Sequence, residues 1–149
     1  MQKDLRYFIK YLEETHPGEF QRVGRTVDAH FELSAVMQKL QSENRFPALL
    51  FEDVKGSAMP VISGLWGNRA KMAAAFETTP DNLVASFLAA CNNPIPPKSV
   101  SSAPVHEVVR TGADVDLEAL PIVTHCERDL GAFICPGVLL SRNLDTGVI

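Results

Sequence analysis

One six-residue segment, Thr124-His125-Cys126-Glu127-Arg128-Asp129, holds the densest collection of reactive side chains in the sequence. Its histidine, cysteine and carboxylates are residue types that bind zinc. On an extended chain His125 and Glu127 point to one face, whereas Cys126 points to the other. A structural zinc site usually takes four converging ligands, and here only two converge, with Cys135 as a distant third. We therefore expect a polar turn that leads into a strand rather than a metal site.

A thiol nucleophile activated by a histidine base is the second chemistry that these residue types allow. Three cysteines are present, Cys91, Cys126 and Cys135, and His106 or His125 could act as the base. Cys91 lies on an apolar helix face, so we expect it in the core. The sequence alone brings neither histidine close to a cysteine, and no cysteine-protease signature surrounds them. No paired carboxylates stand out either.

The segment Ser63-Gly64-Leu65-Trp66-Gly67-Asn68-Arg69 is the third candidate, because it lies between a predicted strand and a predicted helix. Glycines in front of a helix can bring backbone N–H groups close to a phosphate. The segment matches neither the G-x-G-x-x-G pattern nor the P-loop pattern. We therefore expect a tight turn in which Asn68 caps the helix.

Helices and strands alternate through residues 1–91, which predicts an α/β layer. Apolar residues at helical spacing predict helices that end at Pro17-Gly18, that begin at an Asp28 N-cap, that span Arg69 to Phe76, and that begin at Thr79-Pro80. The last of these helices is expected to direct its apolar face inward, namely Leu83, Val84, Phe87, Leu88 and Cys91. Predicted strands cover Glu19 to Val23, Ala48 to Phe51, and a stretch from Val61.

The pattern changes at Asn92. Four of the ten prolines, Pro94, Pro96, Pro97 and Pro104, lie close together, which predicts a semi-rigid connector over residues 92–104. Behind it, Val105 to Arg110 and Phe133 to Ser141 are predicted strands, and no helical period follows Cys91. Residues 105–149 are too few to close a sheet of their own.

Composition excludes several functional classes. The chain has 149 residues, of which 46% are hydrophobic and 21% charged, so it can bury a core and is not disordered. No run approaches about 18 consecutive apolar residues, which excludes a transmembrane segment. A net charge of −4 without a basic block argues against nucleic acid or an anionic membrane as partner. The sparse, odd set of cysteines and the absence of a signal-peptide core predict reduced thiols in the cytoplasm.

A series of short motifs follows in order along nearly the whole chain. They are Asp4-Leu5-Arg6-x-Phe8, Leu12-Glu13, Gly18-Glu19-Phe20-x-Arg22-Val23, Val27-Asp28, Glu32-Leu33, Pro47-Ala48-Leu49-Leu50-Phe51-Glu52-Asp53-Val54-Lys55-Gly56, Asp114-Val115-Asp116-Leu117-x-x-Leu120-Pro121-Ile122, Thr124-His125, Asp129-x-Gly131-x-Phe133-Ile134 and Gly137-Val138. This succession resembles the amino-terminal part of the UbiD-like decarboxylases, of the 3-octaprenyl-4-hydroxybenzoate carboxy-lyase type.

The resemblance implies a fold. Residues 1–91 would form an amino-terminal α/β domain, residues 92–104 a proline-rich linker, and residues 105–149 the first strands of a split β-barrel of flavin-reductase type, which is incomplete here. In the family a carboxy-terminal domain mediates oligomer formation, so the full-length enzyme is expected to be a homo-oligomer.

The resemblance also implies an activity. Family members remove, or reversibly add, CO₂ on aromatic and α,β-unsaturated acids. They use prenylated FMN together with Mn²⁺ and K⁺, which bridge its phosphate to the protein. The proposed chemistry is a cycloaddition between cofactor and substrate, followed by loss of CO₂ and proton delivery by a glutamic acid.

No catalytic or metal-binding residue of the family can be carried over to this sequence. The ligating Asn, the catalytic Arg, the later ligating His and Glu, and the catalytic glutamates are all expected beyond Ile149. Asn143 lies in the hairpin before the ligand position and is not its equivalent. Cys135 and Pro136 could border the flavin pocket, but the cofactor-binding residues are otherwise unknown. The segment alone is therefore expected to be inactive.

Two alternatives remain open. The turn at Thr146-Gly147 normally reverses into a partner strand, so either the chain is a fragment or a partner chain supplies the missing strands. In the second case the chain would be a non-catalytic interaction or scaffold subunit that docks on a separate catalytic chain. A cofactor-free enzyme that uses the His125 region is a third, weaker hypothesis.

Overall fold

A computed structural model describes residues 4–96, 98–135, 137–138 and 141–147. These residues form α-helices and short strands in the order α1 (Leu5–Thr15), β1 (Phe20–Val23), α2 (Glu32–Ser42), β2 (Ala48–Phe51), β3 (Val61–Ser63), α3 (Arg69–Ala75) and α4 (Leu83–Asn92), followed by two 3₁₀ turns at Pro104–His106 and Gly112–Asp114. Within this described part, no helix combines the length and the apolarity needed to cross a membrane.

The sheet has three strands in the order β1-β2-β3. Strands β1 and β2 are parallel, with Phe20 opposite Ala48, and α2 forms the crossover between them. Strands β2 and β3 are antiparallel, with Leu49 opposite Ser63. The central strand β2 is covered on both faces, which explains why its sequence is a continuous apolar run. The predictions for β1, β2 and β3 are confirmed.

Alternate residues of β2 divide the core into two halves. Leu49 and Phe51 belong to one apolar cluster, together with Leu33 of α2. Ala48 belongs to the other cluster, which contains Leu12 of α1 and Ala74 of α3. The sheet is therefore packed between α2 on one side and α1 with α3 on the other. The predicted α/β layer is confirmed.

A buried ion pair fixes α3 against the start of β1. The side chain of Lys71 is fully buried, and its Nζ donates to Glu19 Oε2 at 3.1 Å and to the carbonyl oxygen of Phe46. Asn68 Nδ2 also donates to Glu19 Oε2, at 2.6 Å. Burial by itself raises the pKa of Glu19, but the hydrogen bonds from Asn68 and Lys71 outweigh it and hold that pKa below its ordinary value.

The predicted starts of two helices are wrong. Helix α2 begins at Glu32, not behind an Asp28 cap. The Asp28 carboxylate instead accepts from the backbone N–H of His30 at 2.9 Å and from Lys55 Nζ at 2.9 Å, so it closes a local turn. Thr79-Pro80 likewise forms a separate turn, because Asn82 N–H donates to the Thr79 carbonyl at 3.1 Å, and α4 begins only at Leu83.

The prediction that α4 directs its apolar face inward is also wrong, except at Leu83. Val84, Phe87 and Leu88 are each more than half exposed, at 56%, 51% and 55%, and Cys91 is exposed rather than in the core. The helix packs on α3, and Phe76, which follows α3, contacts Phe87 edge to face in a T-shaped pair with ring centroids 5.9 Å apart. We define Val84, Phe87, Leu88 and Cys91 as the α4 face.

After α4 the described part of the chain runs mainly without regular structure. The predicted strand over Val105 to Arg110 is wrong, because Pro104–His106 is a 3₁₀ turn and irregular backbone follows. In the predicted strand from Phe133 to Ser141, the described residues form no strand. Pro136, Leu139 and Leu140 lie outside the described residues, as do Pro97, Val148 and Ile149. A strand requires a ladder of hydrogen bonds to a neighbouring strand, and the described residues of these two segments form no such ladder.

Candidate functional site

A cavity of about 560 Å³ lies between the loop after β3 and the segments that follow the linker. Most of its walls are apolar, and its lining consists of Leu33, Val61, Ile62, Ser63, Gly64, Leu65, Trp66, Gly67, Leu120, Pro121, Ile122, Val123, His125, Phe133, Ile134 and Cys135. Both candidate segments from the sequence therefore meet here, together with Cys135 of the thiol–histidine hypothesis. His106 does not line this cavity.

The loop between β3 and α3 forms one wall. Gly64 has a φ of 75°, and a Cβ there would lie 2.7 Å from both Met37 Cε and the Pro47 carbonyl oxygen. Only glycine fits this position, because both the conformation and the space exclude a side chain. Asn68 accepts from the backbone N–H of Lys71 at 3.0 Å, so it caps α3. The predicted tight turn with its Asn68 cap is confirmed.

The segment around Val123 forms the opposite wall, and backbone hydrogen bonds attach it to the chain in front of α2. Thr124 N–H donates to the Ala29 carbonyl at 3.1 Å, and Phe31 N–H donates to the Thr124 carbonyl at 3.0 Å. Val123, which is only 8% exposed, enters the core cluster beside α2. Phe133 N–H donates back to the Val123 carbonyl at 3.1 Å. The chain from residue 123 to residue 133 is thus a closed loop fixed on the α/β layer.

His125 lies at the centre of a polar row on this wall. Its Nδ1 is 3.1 Å from Ser34 Oγ on α2, and its Nε2 is 3.5 Å from Cys135 Sγ. The imidazole ring also packs against the Phe133 ring, with the two ring centroids 4.8 Å apart. The structure therefore joins His125 to Cys135, which sequence reasoning could not do. Ser34 was missed, because 91 residues separate it from His125 and no local pattern links them.

The residues after His125 form the predicted polar turn. Asp129 N–H donates to the Cys126 carbonyl at 3.1 Å, and Cys126 N–H donates to Asp129 Oδ2 at 2.8 Å. Cys126, Glu127 and Arg128 line a second, more polar groove of about 680 Å³, which His125 also lines. His125 therefore borders both an apolar cavity and a polar groove.

The described residues do not fit a phosphorylated flavin with its cations by themselves. Among them, no group of three or more histidine, cysteine, aspartate or glutamate side chains is arranged to hold a metal ion. Among the described residues, those that line the 560 Å³ cavity include no lysine or arginine that could pair with a phosphate. The cavity offers an apolar wall instead. Pro136, which was expected at the flavin pocket with Cys135, lies outside the described residues.

Two family models match this chain, one behind the other. The 3-octaprenyl-4-hydroxybenzoate carboxy-lyase N-terminal domain matches residues 9–91. The Rift-related domain of the same carboxy-lyase matches residues 98–149.

Solved structures agree with the family models. An evolved dimeric form of the UbiD-class enzyme HmfF from Pelotomaculum thermopropionicum, in complex with prFMN, is 36% identical over 99% of this chain, with a TM-score of 0.86. The apo 3,4-dihydroxybenzoic acid decarboxylase from Enterobacter cloacae is 30% identical over 83% of this chain, with a TM-score of 0.75. The 3,4-dihydroxybenzoic acid decarboxylase AroY from Klebsiella pneumoniae is 28% identical over 90%, with a TM-score of 0.79.

This chain spans about a third of these relatives, since it covers 34%, 28% and 30% of their respective lengths. Within that third the likeness is continuous, from the α/β layer through the closed loop that carries His125. Because the N-terminal family model alone matches more than half of the 149 residues, the chain belongs to the UbiD family of carboxy-lyases.

Proposed function

We propose that this chain is the amino-terminal portion of a prenylated-FMN-dependent, reversible decarboxylase of aromatic or α,β-unsaturated carboxylic acids. The observation that carries the proposal is the 36% identity, over 99% of the chain, to HmfF in complex with prFMN. Two relatives that are 3,4-dihydroxybenzoic acid decarboxylases support an aromatic acid as substrate.

The proposed domain division is residues 1–91, 92–104 and 105–149. It is supported by the end of α4 at Asn92 and by the two family matches, which meet between residues 91 and 98. We propose that residues 105–149 contribute the first strands of a split β-barrel of flavin-reductase type. Their apolar side chains, such as Val105 and Val109 at 77% and 70% exposure, would be buried by the remaining strands of that barrel.

In this proposal the chain supplies one wall of the reaction chamber. The rigid loop at Gly64 and the apolar side chains around the cavity exclude water from one side. The residues that hold the flavin phosphate, Mn²⁺ and K⁺, and those that move the proton, come from the polypeptide that corresponds to the other two thirds of the relatives. The chain alone is therefore inactive. The assembled enzyme is proposed to be a cytoplasmic homo-oligomer.

A chimera tests this function. Residues 1–149 would replace the matched third of HmfF, which also binds FMN and is 38% identical over 97% of this chain. The chimera is expected to retain flavin on gel filtration at a ratio close to one per chain, whereas the isolated 149-residue chain with prFMN, Mn²⁺ and K⁺ retains none. A stoichiometric flavin on the isolated chain would overturn the division of labour.

The same experiment addresses the scaffold alternative. The 149-residue chain and the remaining two thirds of HmfF are supplied as separate polypeptides. Flavin retention by the chimera alone supports a covalent portion of one enzyme. Equal retention by the two separate polypeptides supports a docking subunit instead, and the exposed α4 face offers an apolar surface for either arrangement.

A further inference from the structure

The three cysteines lie in three different surroundings, although all of them are exposed. Cys91 belongs to the α4 face, and Cys126 borders the polar groove beside Arg128. Cys135 borders the apolar cavity, and its Sγ lies 3.5 Å from His125 Nε2, within hydrogen-bond range for sulfur. Among the described residues this is the pairing of a thiol with an imidazole that a nucleophilic cysteine requires.

Ser34 completes the arrangement. When His125 Nδ1 carries the proton, it donates to Ser34 Oγ at 3.1 Å, and the free electron pair of Nε2 faces Cys135 Sγ. The Ser34 hydroxyl oxygen can accept from Nδ1–H, so it is compatible with this tautomer and orients the ring so that Nε2 is free to take the thiol proton. The Phe133 ring, 4.8 Å away, holds the imidazole plane in place. Ser34 is thus a positioning residue, and His125 is the base.

The cavity next to the thiol defines the ligand class. Its lining beside Cys135 is apolar, with Phe133 and Ile134 on the same segment and Leu65 and Trp66 across the opening. Such walls favour an uncharged, largely apolar molecule over a polar one. Thiolates react with soft carbon electrophiles. An α,β-unsaturated carbonyl compound is such an electrophile, and it can combine an apolar body with a single polar carbonyl group.

We propose that Cys135 is a nucleophilic thiol that adds to apolar α,β-unsaturated carbonyl compounds bound in the 560 Å³ cavity. The Sγ proton passes to His125 Nε2, and Sγ forms a bond to the β-carbon. The electron pair of the carbon–carbon double bond moves onto the α-carbon as an enolate, which then takes the proton from His125. The thioether product holds every atom of both reactants, so no oxidant or leaving group is needed. This addition is independent of flavin chemistry and of the proposed decarboxylation.

Competition between the three thiols of one chain tests the proposal. The complete 149-residue chain is treated at pH 7 with less than one equivalent of N-ethylmaleimide, and peptide mass spectrometry gives the label at each cysteine. Cys135 is expected to react at least about tenfold faster than Cys91 or Cys126, in line with the action of a positioned base. In urea the three rates become equal, which provides the baseline for an unfolded chain.

Matched variants separate the base from a general structural effect. His125→Gln is expected to lower the Cys135 rate to that of the other two thiols, whereas His106→Gln, at an exposed site, leaves the ratio unchanged. Ser34→Ala is expected to lower the ratio about threefold, because the imidazole loses its orienting partner. Ser42→Ala, on the same helix but bonded to the Lys39 carbonyl, leaves it unchanged.

The shape of the ligand site has its own control. A maleimide that carries a sulfonate should lose most of the preference for Cys135, because the charge is not compatible with apolar walls. Equal labelling of the three native thiols, or faster labelling of Cys126, would overturn the proposal. If circular dichroism shows that His125→Gln does not fold, two measurements on the wild-type chain still test the proposal. They are the ratio of the Cys135 labelling rate to the other two rates, compared between buffer and urea, and the comparison with the sulfonated maleimide.

Discussion

The region of residues 4–91 and the region of residues 98–147 differ in how far they bury their side chains, although both are rich in apolar residues. Among the described residues, every buried one except Val123 lies in the first 83 positions. The first region holds the whole sheet, both core clusters and the Lys71–Glu19 pair. The second region is attached to it chiefly through the closed loop at Val123. Among its described residues, the other valines and leucines are largely exposed.

The difference teaches that an apolar pattern forms a strand only where a neighbour is present. β2 pairs on both edges with strands of the same region, so its backbone groups are satisfied. Val105, Val108 and Val109 have similar side chains, yet they are 77%, 73% and 70% exposed. If residues 105–149 belong to the proposed barrel, these side chains are expected to become buried once neighbouring strands pair with them.

The largest expected effect contrasts a phenylalanine from each region. Phe51 is fully buried in the core, so Phe51→Ala should lower the free energy of unfolding by about 3–5 kcal/mol. Phe133 is 45% exposed, and Phe133→Ala should cost less than about 1.5 kcal/mol. Urea unfolding monitored by circular dichroism measures both. Similar losses at the two sites would mean that the second region is as tightly packed as the first.

Lys71 tests whether the first region depends on a buried charge. Lys71→Met keeps most of the volume but removes the cation and its hydrogen bonds to the Glu19 carboxylate and the Phe46 carbonyl, so that Glu19 retains the hydrogen bond from Asn68 without its counter-charge. Removal of one partner of a buried pair costs about 3–5 kcal/mol, and partial exposure of Glu19 places the expected loss near the lower end. The double variant Lys71→Met with Glu19→Gln should recover part of it. No recovery would show that the loss comes from packing rather than charge.

The elements that sequence reasoning predicted correctly are those whose determinants are local. Asn68 caps α3 by accepting from the backbone N–H of Lys71, three positions away. Gly64 supports the turn because its own backbone adopts a positive φ. The false cap at Asp28 failed because Lys55, 27 positions away, competes for its carboxylate. The inward face of α4 failed for a related reason, since helical period identifies an apolar face but not what covers it.

The site could be predicted only in part. His125 and the glycine-containing loop were recognised by residue type. They line one cavity only because Thr124 forms backbone hydrogen bonds with the chain in front of α2. Contacts that join positions far apart in sequence leave no periodic signal.

Val123 is the attachment between the two regions, so its truncation should loosen one without unfolding the other. Val123→Ala removes two buried methyl groups and should cost about 1–2 kcal/mol. Trypsin should then cleave faster after Arg128 than in the wild-type chain. Val109→Ala, at an exposed position, should change neither quantity. An unchanged cleavage rate in Val123→Ala would show that the backbone hydrogen bonds of Thr124 alone hold the loop.

Acid should weaken the first region through Glu19. The pKa of Glu19 is lower in the fold than its ordinary value of 4.5, so its contribution to stability is present above pH 4.5 and is lost as the pH falls through the lowered pKa. Protonation also leaves the buried Lys71 without its counter-charge. Unfolding free energy measured from pH 6 downwards, over about three units, should therefore fall less steeply for Glu19→Gln than for the wild-type chain. Equal slopes would contradict the folded-state pairing.

The smallest change in stability is expected for substitutions on the α4 face. Its size should differ between the 149-residue chain and the chimera with HmfF. Leu88 is 55% exposed, so Leu88→Ser should change the stability of the 149-residue chain by less than about 0.5 kcal/mol. Leu83→Ser, at a position only 8% exposed on the same helix, should cost about 2 kcal/mol or more. In the chimera with HmfF the two variants should become similar, because a face covered by the remaining polypeptide is no longer on the surface. If Leu88→Ser stays neutral in the chimera as well, α4 faces solvent in the whole enzyme, and the contrast between a covered layer and an uncovered segment does not extend to this helix.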